Sequence, residues 1–250
     1  MKIIVLDTEG YSNVNAYNLG YTVVDLTTKT ILERVSVAVL PYLWDNLNEK
    51  LRRSNDNAAN AKLSEMQLKN TADILTDSGK KYSKLLRSEN GLFRHFLALF
   101  KKYPDIKEIF AFNVSFDKAA LKRSLTESHF NKLFGDMEFK DVQTAVFYTF
   151  CYNLEYIQWA IVNGYTTEQG NIKTTAEVFY RYLTGKADFI EEHTALADSE
   201  IETEMLLKAL EKNANIPTKP CRCYTKLNEL YEKDNEKTIT NFVADYLFTE

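Results

Sequence analysis

Five residues of this chain have the types and positions needed for metal-assisted chemistry: Asp7, Glu9, Asp117, His193 and Asp198. Asp7 and Glu9 end the apolar run MKIIVL. On a strand, residues two apart share a face and lie about 6.6 Å apart along it. Two carboxylates there repel and are costly to desolvate, and a hard divalent cation relieves both effects through oxygen ligation. Taken alone, the pair fits a strand ending in solvated acids. Asp117 falls in the first turn of a helix, three residues before Ala120 and four before Leu121, so it projects from the inward stripe. An acid there is also favoured by the helix dipole, with Ser115 or Asn113 as the cap. His193-Thr-Ala-Leu-Ala-Asp198 runs straight into the helical pattern SEIETEMLLKAL. Asp198 leads a stripe through Ile201 and Met205, and His193 lies just ahead, free to project into a cleft. His95 and His129 lack such surroundings and read as surface or satisfied core residues.

Each segment is weak by itself; together they describe one site. Four carboxylates sit where strands end and helices begin, which suits a pair of cations about 3.5–4 Å apart gripping an attacking water and a leaving oxygen. An imidazole beside them, with an ordinary pKa of about 6.5, can take the proton of that water.

The elements that must position these residues are legible as periodicity. MKIIVLDT reads as a central strand buried on both faces. Tyr17 to Leu26 and Ile31 to Leu40 read as a hairpin joined by the polar connection Thr27 to Thr30. Glu108 to Phe112 is a further strand, and Asp141 opens a short strand or helix, VQTAVFYTF. Helices are expected over Gly91 to Tyr103, Ser115 to Leu125, Thr174 to Leu183 and Ala195 to Leu210. The polar stretch 41–90, with helical patches at Ala58 to Asn70 and Ala72 to Leu86, reads as a helical insertion. Prolines at 217 and 220 mark a break, after which Ile239, Phe242, Val243, Tyr246 and Leu247 form one apolar helix face. That tail packs on its own domain or meets a partner. The expectation is a three-layer α/β domain with a mixed, mainly five-stranded sheet over residues 1–215, and a C-terminal helical extension over 216–250.

Composition excludes several classes. The chain has 250 residues and a formal net charge of −4. That charge is contrary to backbone binding of nucleic acid, unless acids gathered around cations have their local charge reversed. No apolar run spans a bilayer, so no membrane role is expected, and MKIIVLDTEG reads as structure rather than a secretion signal. Three cysteines, two in the pair Cys221 and Cys223, do not make a disulfide framework, and no histidine or further cysteine nearby completes a zinc site. A cytoplasmic location fits.

At D-T-E-G (7–10), F-N-V-S-F-D (112–117) and H-T-A-L-A-D (193–198), the chain resembles the DnaQ-like, or DEDDh, family of 3′→5′ exonucleases. The stretch TTAEVFYRYLTG ahead of the last motif is also similar to the family's helix leading into the histidine loop. The resemblance covers residues 1–40 and 105–210; the 41–90 segment and the tail have no counterpart. It implies an RNase H-like fold, Asp7, Glu9, Asp117 and Asp198 as ligands of two Mg²⁺ or Mn²⁺ ions, and His193 as general base. It also implies Thr8 and Gly10 beside the terminal nucleotide, and Asn113 near the site. Phe112 stands where a histidine is common in the family. Asp141 matches an acid of relatives and is given no metal role.

The expected activity is removal of nucleoside 5′-monophosphates from the 3′ end of single-stranded nucleic acid or from another 3′ end, with single against double strand left open. Tyr11 is a candidate to stack on the terminal base. Lys118, Lys122 and Arg123, or Lys80, Lys81, Lys84 and Arg87, are candidates for phosphates or simply solvated faces. The alternative is a catalytically silent exonuclease-like module that binds nucleic acid or a polymerase partner, with a homodimer as another use of the tail. A third reading is a metal-dependent hydrolase of another phosphate ester. DNA against RNA is left open.

Overall fold

The computed structural model describes residues 1–10, 15–46 and 83–235. Its centre is a mixed six-stranded sheet: β1 (Lys2–Glu9), β2 (Asn18–Asp25), β3 (Thr30–Val39), β4 (Ser83–Leu86), β5 (Glu108–Ala111) and β6 (Glu138–Asp141), in spatial order β4-β3-β2-β1-β5-β6. β1, β2 and β3 pair antiparallel, while β5 lies parallel to β1, β6 parallel to β5 and β4 parallel to β3. An α/β fold with helices on a mixed sheet is therefore as expected, but the strand count is not five. The sixth strand lies inside the segment read as the Ala72 to Leu86 helix. Leu85 and Leu86 are adjacent apolar residues that suit either element, and pairing with Ser36–Val39 gives that backbone its ladder. Far from being wholly helical, the 41–90 segment returns a strand to the sheet. The helical patch at Ala58 to Asn70, the rest of the following one, Tyr11, Lys80, Lys81 and the Ile239 to Leu247 face lie outside the described residues.

Helices α1 (Glu89–Lys102), α2 (Val114–Ser124) and α3 (Glu127–Phe134) cover one face of the sheet. The other face carries α4 (Val142–Val146), a continuing π-helical turn over Phe147–Cys151, α5 (Leu154–Val162), α6 (Ala176–Thr184), α7 (Ala195–Glu211) and α8 (Cys223–Asn235). Period-two alternation in β1 assigns the faces. Ile4 and Leu6 join the core with Phe96, Leu121 and Phe134, and Ile3 and Val5 join the core with Phe179, Met205 and Leu206. Burial of each such side chain stabilises by about 1.5–3 kcal/mol. Leu227 and Tyr231 of α8 belong to the second core, so the described part of the C-terminal extension is integral to it. Among the described residues, no helix is long and apolar enough to cross a membrane.

Two terminal signals are plain. Thr175 caps α6 by accepting from the Val178 amide, and Gly185 ends it at φ +69°, where a residue without Cβ avoids strain. Thr194 caps α7 by accepting from the Ala197 amide. That cap fixes where α7 begins, and hence that Asp198 lies in its first turn.

Candidate metal centre

The same alternation that builds the two cores aims the chemistry. Asp7 and Glu9 follow Ile3 and Val5 onto the α7 face, whereas Thr8 follows Ile4 and Leu6 onto the α2 face. α7 delivers Asp198 to the first pair, and carboxylate oxygens of Asp7, Glu9 and Asp198 all lie within 4.8 Å of one another. Asp7 and Glu9 keep part of their surface open; Asp198 is buried. Asp198 Oδ1 is buried with no hydrogen-bond partner among the described residues, an arrangement that costs free energy unless a ligand supplies the missing contact.

Asp117 adjoins this group from the far side of β1. It is buried, and its Oδ1 accepts the Thr8 hydroxyl proton at 2.8 Å. The Thr8 side chain is thereby engaged in holding a carboxylate. Asn113 occupies the cap position of α2 in left-handed backbone (φ +58°), but its side chain makes no cap bond. The capping is done by buried Asp141, which accepts from the Val114 amide at 2.8 Å and from the Thr144 amide at 2.7 Å. One carboxylate thus starts both α2 and α4. Gly10 is tight against the chain itself: a Cβ there would meet Ala16 Cα at 3.2 Å and Asn15 O at 3.3 Å.

His193 sits in a neighbouring group. Its ligand nitrogen lies within 4.8 Å of carboxylate oxygens of Glu177 and Glu191, and Nδ1 is 3.8 Å from Glu191 Oε2. Glu177 is also held by Arg181, one helical turn on. Backbone φ at His193 is +52°, rare for a residue with a side chain. Glu191 links the two groups, because its charge acts on Asp7, Glu9 and Asp198 as well as on His193.

Burial, and after it mutual repulsion, pushes every acid of the centre upward from its ordinary range. For Asp7 the leading cause is burial, followed by the charge of Glu191. For Glu9, Asp117 and Asp198, burial again comes first and the charge of Asp7 second. Such groups favour protonation unless positive charge is supplied.

Several residues that build the centre do not stand out in the sequence. Gly20 pairs with Asp7 across β1 and β2, and a Cβ there would fall 1.9 Å from Ala195 C and 2.0 Å from Leu196 N. Only glycine lets the start of α7 lie directly on the sheet. Asn18 secures the same point, accepting from the Ala195 amide at 3.2 Å while donating to Val37 O. The signal for Gly20 was available: a glycine inside a strand often marks close backbone approach. Glu202 is a further buried acid beside the centre, raised by burial and then by the charges of Asp7, Asp117 and Asp198. Its Oε2 accepts from the Phe112 amide at 3.2 Å, tying α7 to the turn before Asp117. Four residues after Asp198, it takes the inward position that the sequence pattern gives to Ile201, which is only partly buried.

The remaining histidines are engaged elsewhere. His95 Nε2 lies 2.8 Å from Tyr21 Oη, and His129 stacks on Phe93 and pairs with Glu89. Lys118 and Lys122 lie over the rings of Phe139 and Phe130. No protein-family model, curated protein or solved structure matches this chain.

Proposed function

We propose that the chain is a divalent-cation-dependent 3′→5′ exonuclease, DnaQ-like with an RNase H-like fold. The observation that carries the proposal is the carboxylate group of Asp7, Glu9 and Asp198, gathered within 4.8 Å, with one buried Asp198 oxygen that has no hydrogen-bond partner among the described residues. An all-oxygen donor set of this kind fits Mg²⁺ or Mn²⁺. Asp7, Glu9 and Asp198 would hold the cations, with Asp117 completing the set for two. When bound, they supply Lewis-acid activation of water and charge neutralisation at phosphorus.

The chain's own residues have separable tasks. Thr8 fixes the rotamer of Asp117, Gly20 and Asn18 seat α7 so that Asp198 reaches Glu9, and Glu202 ties α7 to the Asp117 turn. His193 accepts the proton of the attacking water at Nε2, and Glu191, 3.8 Å from Nδ1, orients the ring. The attacking oxygen forms the new P–O bond as the bond to the 3′ oxygen breaks. A nucleoside 5′-monophosphate leaves, and the shortened strand keeps a 3′ hydroxyl. Cytoplasmic nucleic acid with a free 3′ end is the substrate class, and the acidic cluster selects an end gripped through cations rather than by a basic groove.

The test is a panel of 5′-labelled DNA and RNA single strands with Mg²⁺ or Mn²⁺, with and without EDTA. Stepwise shortening from the 3′ end, stopped by EDTA and by Asp7→Ala or Asp198→Ala, supports the proposal. Undiminished degradation by both purified variants overturns it. Strand binding without shortening points instead to the silent module.

A further inference from the structure

Away from the carboxylates, Cys221 and Cys223 bring two sulfur atoms to 3.0 Å at the start of α8. Both are free thiols. Cys221 is half-buried and open to solvent on one side, whereas Cys223 is buried. Among the described residues, no third ligand joins them in a metal-binding group. We infer that Cys221 and Cys223 form a peroxide-oxidisable dithiol, in which Cys221 is the attacking sulfur and Cys223 resolves it to an intrachain disulfide.

The surroundings divide the roles. Either sulfur can donate in this contact; with Cys223 as the donor it favours the Cys221 thiolate, and Lys226 adds a smaller push in that direction. Burial and the charge of Asp141 oppose the shift, but the net direction at Cys221 is down. Cys223 moves the other way, because it gives up the hydrogen bond and is enclosed by protein. A low-pKa accessible thiol beside a second thiol is the arrangement that peroxide-reactive cysteines need. The backbone holds Cys221 in place, since its amide donates to Thr144 Oγ1 at 2.8 Å. A disulfide needs sulfurs at about 2.05 Å, so closure takes about 1 Å of side-chain motion.

In the first step the Cys221 thiolate attacks one oxygen of hydrogen peroxide. The S–O bond forms as the O–O bond breaks, and hydroxide leaves. The Cys223 thiol then passes its proton to solvent and attacks the Cys221 sulfur; the S–S bond forms, the S–O bond breaks and water departs. Two thiols and one peroxide give one disulfide and two waters.

Arg222 between the cysteines makes the test direct, because trypsin cuts there. The full chain, folded, is exposed to hydrogen peroxide at a dose that fully oxidises a free cysteine peptide, then denatured, alkylated and digested. Two of the three thiols should be lost to alkylation, with the peptide ending at Arg222 joined to Cys223-Tyr-Thr-Lys226 and lighter by two hydrogens. In C223A the reaction should stop at a sulfenic acid on residue 221, trapped by dimedone. Full alkylation of both cysteines in the treated wild-type chain overturns the inference. So does linkage found only between chains on a non-reducing gel. Neither result bears on the exonuclease reading.

Discussion

Gly20→Ala probes how the centre is assembled without touching any acid in it. The new Cβ would lie 1.9 Å from Ala195 C, against 3.4 Å where ordinary contact begins. The start of α7 must therefore lift by about 1.5 Å, being 3.4 less 1.9. Asp198 sits three residues further along the same helix and moves with it, so the oxygens now gathered within 4.8 Å separate. A misplacement of about 1 Å in a catalytic group can cost on the order of 100-fold in rate. Overpacking costs about 1–3 kcal/mol, which lowers the melting temperature by about 2–12 °C in a chain of this size. The assays are 3′ shortening in Mn²⁺ and thermal melting, with Gly91→Ala as control. A Cβ at Gly91 meets Leu86 at an ordinary 3.5 Å inside α1, so that variant should melt no lower than wild type and keep its rate. A Gly20→Ala chain with wild-type rate and melting temperature refutes the seating of α7 through this contact.

Three other outcomes follow from the same contacts. Asp198→Asn removes an acid that burial and then the charge of Asp7 push up to about 10. At neutral pH the metal-free fold then no longer has to take up a proton there and should gain about 1–3 kcal/mol, while the nuclease rate falls to the EDTA level; a less stable variant in EDTA contradicts this. His95 is pushed down to about 4, first by burial and then by Lys84. Its folded form resists protonation, so its contribution is full above pH 6.5 and is lost as pH falls from 6.5 towards 4. The loss is about 3 kcal/mol, and denaturant melts of His95→Gln should show a shallower decline over that window than wild type. Asp141→Ala strands the Val114 and Thr144 amides, at about 1–3 kcal/mol each; Asp141→Asn, keeping one acceptor, should recover part of it in urea unfolding.

The sequence made the central parts of this arrangement visible for identifiable reasons. β1 is a continuous apolar run, so its end and its two same-facing acids could be placed by period alone. Asp117 and Asp198 each begin a helix with an inward stripe, and the structure buries both. What stayed hidden depends on contacts distant in the chain. The β4 strand exists because the β3 edge offers it a ladder, which local propensity does not encode. Glu202 hides in an acid-rich helix, where EIETE looks like a solvated face until the packing of α7 against β1 is known. Gly20 carried a readable sign, but its meaning lies in Ala195, which crosses over it. His193 was placed beside the acids by motif; its immediate companions, Glu177 and Glu191, come from α6 and the loop before α7.

Calorimetric titration of Mn²⁺ at neutral pH, repeated in buffers of different ionisation enthalpy, tests the claim that these acids are held together for cations. Because burial and mutual repulsion raise the acids, binding must displace protons. The expected result is saturable binding whose heat changes with the buffer, lost in Asp7→Asn. No saturable heat, or binding left unchanged by that substitution, contradicts it.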